Sequence, residues 1–353
     1  MKILVIGSFK WSQYAPAIYN GFIQVSEEYK NLENNWQVEK IDYEDFLYTN
    51  KNKLTTFLNK VQNRFHIGIN ILKYNRTILK KVESFDPDFI FLYRCYSVHT
   101  NTLKKIKEKT NCKIFSYNND DAFSGVPSKA YYKHFIKNAF LCDINFVYRK
   151  KNIEDFKKIG ITNTKILLPH YLSSFNYRLE EVEKDIPIAF IGHFENDGRD
   201  FLIKNLLEAN IPVVVYGDDA WKKAPLYNEI KESIFPARRG ECYNRTLNRL
   251  KIALVFFSKI NSDTYTRRCF EIPITKAVML SEYTDDMNEM FPEGEAALYF
   301  RNPTELVTKA KYLLDHPEKI TLIAEKACER LKILGGSEND RAKQIVEEYY
   351  KLK

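Results

Sequence analysis

The densest chemistry in the chain sits in one stretch, Asp263-Thr264-Tyr265-Thr266-Arg267-Arg268-Cys269-Phe270-Glu271-Ile272-Pro273. It follows Ile252–Phe257, an apolar run with the character of a buried strand. Arginines neutralise phosphate through paired, charge-assisted hydrogen bonds, and a carboxylate accepts from two neighbouring ribose hydroxyls. At a helix start, where backbone N–H groups lack partners, hydroxyls, two arginines and a carboxylate can hold a sugar diphosphate. Thr266, Arg267, Arg268 and Glu271 are therefore candidate donor contacts, with Asp263 and Glu271 separated by seven residues. The same spacing fits an amphipathic helix with a surface ion pair.

Three further loops follow apolar runs. Gly192-His193-Phe194-Glu195-Asn196-Asp197-Gly198-Arg199 comes after Pro187–Ile191. Glycine allows close backbone approach, and Arg199 can bond phosphate; His193 reads either as a contact or as a surface histidine. Tyr216-Gly217 closes the run from Val213 and leads into Asp218-Asp219. Asn118-Asn119-Asp120-Asp121 follows Lys113–Tyr117. Such a run either caps the next helix through an Asx-turn or places a general base, so Asp120 and Asp121 are candidate catalytic carboxylates. Gly7-Ser8-Phe9 after the first strand lacks the G-x-G-x-x-G spacing of dinucleotide sites.

These loops need strands and helices to hold them. Short apolar runs alternate with helix-period segments twice along the chain, the pattern of parallel sheets flanked by helices. The first series comprises Lys2–Ile6, Gln37–Ile41, Asp88–Tyr93, Lys113–Tyr117, Ile144–Tyr148 and Lys165–Leu168. The second comprises Pro187–Ile191, Val213–Tyr216, Ile252–Phe257, Val278–Ser281 and Ala297–Phe300. The expected fold is α/β, with two Rossmann-like domains facing across a cleft. Residues 1–170 form an N-terminal, acceptor-side domain and residues 186–335 a donor domain. A last helix, 336–353, is expected to pack back on the first domain.

Composition narrows the function. With 54 Lys+Arg against 46 Asp+Glu, the 353 residues carry a net charge of +8. The excess is diffuse, which suits anionic small molecules or an anionic membrane surface and not nucleic acid. The six cysteines are scattered and no His, Cys, Asp or Glu set has metal-ligand spacing, so no metal or cofactor is expected. Dispersed thiols and a first apolar run too short for a signal peptide predict a cytoplasmic chain. Between Lys51 and Lys81 lie eight basic and no acidic residues, interleaved at helical period with Phe57, Val61, Phe65, Ile69, Leu72 and Leu79. This face either packs on a core with a basic outer side or lies on anionic lipid at the inner face of the membrane.

Arg268-Cys269-Phe270-Glu271-Ile272-Pro273, Val278-Met279-Leu280-Ser281-Glu282-Tyr283-Thr284 and Phe291-Pro292-Glu293-Gly294-Glu295-Ala296 resemble the C-terminal domain of CgeB-like, group-1 glycosyltransferases with the GT-B fold. The likeness runs back through Phe190-Ile191-Gly192, Arg199, Tyr216-Gly217 and Asn119-Asp120-Asp121. It implies a nucleotide-sugar donor held by the C-terminal domain without metal. Glu271 then matches a ribose-binding carboxylate, Asp263 an acidic residue near the donor sugar, and Arg199 and Arg268 the family's basic residues. Lys276 stands where the family commonly has Gly, and Asp263 where Glu is more usual. The implied activity moves a sugar from a nucleoside-diphosphate sugar to a hydroxyl of a glycan, lipid-linked glycan or protein. The D-x7-E spacing points to retention; inversion would call on Asp120 or Asp121 as base. A sugar-nucleotide epimerase and a non-catalytic scaffold of the same fold are the alternatives.

Overall fold

The computed structural model describes residues 1–29, 36–48 and 53–353. Runs such as Phe89-Ile90-Phe91-Leu92-Tyr93 are apolar on both alternating faces, so they belong at the centre of a sheet covered on both sides. All five of these side chains are buried, each contributing about 1.5–3 kcal/mol of transfer free energy.

Among the described residues two compact units form. The first holds Met1–Leu168 and Glu338–Lys353. Its strands are β1 (Lys2–Gly7), β2 (Gln37–Asp42), β3 (Phe89–Tyr93), β4 (Lys113–Asn118), β5 (Ile144–Val147) and β6 (Thr164–Ile166). They form one parallel sheet in the order β2-β1-β3-β4-β5-β6. Its first helices are α1 (Ala15–Glu28), α2 (Glu44–Leu47), α3 (Lys53–Phe65), α4 (Ile69–Phe85), α5 (Thr100–Lys109), α6 (Lys133–Ala139) and α7 (Lys150–Lys158).

The second unit, Pro169–Ser337, contains β7 (Ile186–Ile191), α8 (Arg199–Glu208), β8 (Val213–Gly217), α9 (Tyr227–Ile230), β9 (Ile234–Pro236), α10 (Glu241–Arg249), β10 (Leu250–Val255), α11 (Arg268–Ile274), β11 (Val278–Glu282), α12 (Asp285–Met290), β12 (Leu298–Phe300), α13 (Pro303–Asp315) and α14 (Pro317–Ile333). Its sheet is also parallel, ordered β12-β11-β10-β7-β8-β9. That is the doubly wound Rossmann order, and it reverses direction between β7 and β10. The final helix, α15 (Glu338–Tyr350), returns to the first unit and lies against α1. Gly21 makes that approach possible, since a Cβ there would sit 2.7 Å from the Glu338 carbonyl oxygen.

The sequence pattern leaves several local features undefined. The stretch from Leu54 to Ser84 is two helices, broken at His66 (φ 54°) and Gly68 (φ 120°). Strand β9 is a three-residue edge ending in Pro236, too short to show a period. Helix α10 was also not expected, although it carries a residue of the candidate site.

Candidate active site

In open α/β sheets ligands bind beyond the carboxyl ends of the strands where strand order reverses. In the second unit that point lies between the loops after β7 and β10, and hydrogen bonds join the two. Arg268 Nε donates to the Ile191 carbonyl at 3.0 Å, and Ser258 Oγ donates to Glu195 Oε1 at 2.8 Å.

Gly192 and Gly217 are both set by Trp221. The Trp221 indole N–H donates to the Gly192 carbonyl at 2.9 Å. A Cβ on Gly217 would fall inside that indole, and one on Gly192 would meet the Phe190 ring at 2.7 Å. Tyr216 is buried and its ring is covered by Arg238, 4.6 Å from guanidinium carbon to ring centroid. Arg238 Nε is buried with no partner among the described residues; no pattern in the sequence singles it out. His193 is exposed, and its carbonyl accepts from Arg199 Nη1 at 2.7 Å.

Arg199 departs from the phosphate-facing reading. It is 4% exposed, and its guanidinium bonds Asp197 (2.8 and 2.6 Å), Glu195 (3.1 Å) and the His193 carbonyl. Two carboxylates neutralise it, so Arg199 shapes its own loop and offers no open cationic face. The basic residue at the helix start that suggested a phosphate contact is instead held in a local ion pair.

Glu271 is the centre of a buried cluster. Its Oε1 meets Arg267 Nε at 2.9 Å; its Oε2 meets Arg268 Nη1 at 3.0 Å and accepts from the Tyr243 hydroxyl. The Arg268 guanidinium also lies over the Tyr243 ring at 4.6 Å. Burial alone would raise the Glu271 pKa, but Arg267 and Arg268 outweigh it and hold the carboxyl below its ordinary value. Burial likewise works against the charge on Arg268, while Tyr243 and Glu271 raise its pKa. Arg267 Nη1 is left buried without a partner among the described residues. The cluster thus presents an unused guanidinium donor beside a carboxylate whose two oxygens are occupied. Tyr243 arrives from α10; the spacing Tyr243, Thr246, Leu247 was the signal available for it.

Asp263 and Thr266 occupy the approach to α11. Asp263 is half-buried and lines a cavity of about 450 Å³ with Lys259, Glu282, Tyr283 and Arg301, at the carboxyl ends of β10, β11 and β12. Thr266 is half-buried, its carbonyl accepting from the Cys269 N–H at 3.0 Å. Lys276, just past α11, has φ 55°, the left-handed conformation that explains why glycine is favoured there.

In the first unit the two adjacent acids separate in role. Asp121 is 1% exposed; it accepts from the Phe123 N–H (2.9 Å), Asn152 (3.0 Å) and Lys151 (2.8 Å). It is an Asx-turn residue closed to any reactant, which corrects its reading as a catalytic carboxylate. Asp120 remains accessible, its side chain 29% exposed, paired with Arg94 and accepting from the Tyr96 hydroxyl at 3.2 Å. Arg94 has φ 53° and directly follows β3, beside the point where that sheet's order reverses. Among the described residues no three His, Cys, Asp or Glu side chains are grouped to hold a metal ion.

Residues 199–347 match a family model described as glycosyl transferase-like. No curated protein matches the sequence. Sucrose-phosphate synthase from Thermosynechococcus elongatus superposes with a TM-score of 0.66 at 10% identity, over 100% of this chain and 99% of that one. HepE from Anabaena, in complex with UDP and glucose, gives 0.66 at 12% identity over 99% and 100%. The fold is GT-B. A putative UDP-N-acetylglucosamine 2-epimerase from Listeria monocytogenes shares it, with a TM-score of 0.56 at 10% identity over 100% and 97%. The residues matched by the glycosyl transferase-like model cover most of the second unit and of α15.

Proposed function

We propose that the protein is a CgeB-like glycosyltransferase that moves a sugar from a nucleoside-diphosphate sugar to a hydroxyl of a glycan, lipid-linked glycan or protein. The observation that carries this reading is the Arg267–Arg268–Glu271–Tyr243 cluster, tied to the end of β7 at the reversal of strand order. When the bond from the anomeric carbon to phosphate breaks, negative charge grows on the departing diphosphate. Arg267 and Arg268 oppose that charge, each charged hydrogen bond contributing about 1.5–3 kcal/mol. Glu271 holds both guanidinium groups in place and accepts from ribose hydroxyls once they displace Tyr243. Asp263 contacts the donor sugar.

The acceptor hydroxyl attacks on the face the diphosphate leaves, a phosphate oxygen takes its proton, and configuration is retained. Asp120 accepts a hydrogen bond from the acceptor and orients it. HepE was solved with UDP-glucose, so UDP-sugars are the first donors to try. Turnover of a UDP-sugar to UDP with a glycan acceptor is expected, and is expected to survive EDTA. Loss of activity in EDTA with recovery on adding Mn²⁺ contradicts the metal-free mechanism. The epimerase sharing this fold supplies the second reading: release of epimerised sugar without any acceptor would favour it.

A further inference from the structure

Among the described residues, seven of the 22 exposed large apolar side chains fall between residues 57 and 72: Phe57, Leu58, Val61, Phe65, Ile67, Ile69 and Leu72. Ile69 is 82% exposed and Ile67 61%, at the corner where α3 turns into α4. A folded domain rarely leaves so many large apolar groups in water at one corner without a partner for them. No acidic residue occurs between Asp45 and Glu83, whereas Lys53, Lys60, Arg64, Lys73, Arg76 and Lys80 lie exposed along α3 and α4. Lys51 lies outside the described residues.

Beside this corner is a basic cavity of about 560 Å³, lined by His99, Lys104, Lys133, His134 and Lys137 with no carboxylate in its wall. Hydrogen bonds fix the two together. His66 Nε2 donates to the Tyr131 carbonyl at 2.7 Å, and His99 Nε2 donates to the His66 carbonyl at 2.9 Å. The His66 and His134 rings are 5.9 Å apart. Thr100 Oγ1 and His134 Nδ1, both at this wall, are buried without partners among the described residues. Burial, together with His99, His66, Lys133 and Lys137, lowers the His134 pKa to about 4.

We infer that the α3–α4 corner and the adjacent cavity form a docking surface for an anionic phospholipid bilayer. The corner's apolar side chains enter the boundary between headgroups and acyl chains, as amphipathic helices do. The lysines around it face the negative surface, and a headgroup phosphate takes Lys104, Lys133 and Lys137 as partners. Charge decides the occupant: an apolar patch on two helices that carry exposed cations and, up to Glu83, no acidic residue matches an anionic lipid surface. The inference rests on the first unit alone and stands whether or not the glycosyltransferase reading holds.

The test is co-sedimentation of the full chain with vesicles of phosphatidylcholine, with or without about 30% phosphatidylglycerol. The protein is expected to pellet with the anionic vesicles at low salt and to be released at high salt. Replacing Lys104, Lys133 and Lys137 with Gln weakens binding about fivefold per charge. Ile67→Ser with Ile69→Ser also weakens it, while cooperative melting is retained because these side chains are exposed. Absence of pelleting with anionic vesicles at low salt overturns the inference. So do variants that pellet like the parent, or calorimetry showing that inorganic phosphate binds while vesicles do not.

Discussion

The two units carry the same three-residue chemistry, with the arginine and tyrosine alike in exposure and the carboxylate accessible in one and buried in the other. In the first, Arg94, Tyr96 and Asp120 bond one another. In the second, Arg268, Tyr243 and Glu271 do the same. The Asp120 side chain is 29% exposed and that of Glu271 only 4%. An accessible carboxylate in such a trio can touch a reactant, whereas a buried one first acts on its neighbours, fixing where their charges point. The guanidinium groups held by Glu271 are about a third exposed, so the buried carboxylate serves to aim groups that reach solvent. The adjacent Asp121 marks the limit of the comparison, being buried and fully satisfied by its Asx-turn, Asn152 and a local ion pair with Lys151.

The sharpest way to break this comparison is Glu271→Gln. Removing one partner of a buried ion pair costs roughly 3–5 kcal/mol; with both arginines partly solvated, a loss near 3 kcal/mol is expected in chemical denaturation. Affinity for nucleoside diphosphate should fall with it, because an amide turns a donor toward groups that need acceptors. Unchanged stability and affinity would remove Glu271 from its central place.

Asp120→Asn probes the trio with the accessible carboxylate and should act more on the reaction than on the fold. Stability is expected to shift by about 1 kcal/mol, since Arg94 and Asp120 are both only partly buried and the amide oxygen still accepts, and kcat to fall about tenfold, near the worth of one charged hydrogen bond. A thousandfold loss would instead mark general-base catalysis and inversion.

The smallest effect is in the pH profile. Because Glu271 titrates below its ordinary value of 4.5, the folded state binds fewer protons than the unfolded chain in that region. Its stabilisation is complete above pH 4.5 and is lost as pH falls through the lower, folded-state pKa. The stability gap between the parent and Glu271→Gln should therefore narrow as pH is lowered below 4.5. A gap that is constant down to pH 3 would show that the carboxylate charge contributes nothing.

Much of this was legible in the sequence. Runs such as Val213–Tyr216 and Val278–Ser281 are apolar on both faces, so strand type and parallel arrangement follow from composition alone. The dense stretch from Asp263 to Glu271 also stood out, because charged residues at a strand's end have few packing explanations. What escaped depends on distant chain segments. Tyr243 lies 28 residues before Glu271, and Arg94 lies 26 before Asp120; neither pairing leaves a local pattern. Arg199 misled because its partners, Glu195 and Asp197, are local and turn a free cation into a loop clasp. The Asp120-Asp121 pair was undecided in sequence because either carboxylate satisfies an Asx-turn. Only burial under α7, which brings Lys151 and Asn152 onto Asp121, separates them.

The most direct test of the central claim is calorimetric titration of UDP, with ADP, CDP, GDP and dTDP in parallel, into the full chain and its Arg268→Gln variant. The account predicts one site that binds a nucleoside diphosphate, weakened at least tenfold in the variant, as expected when a charged hydrogen bond to phosphate is lost. Absence of binding by any of the five, or equal affinity in the variant, would contradict it.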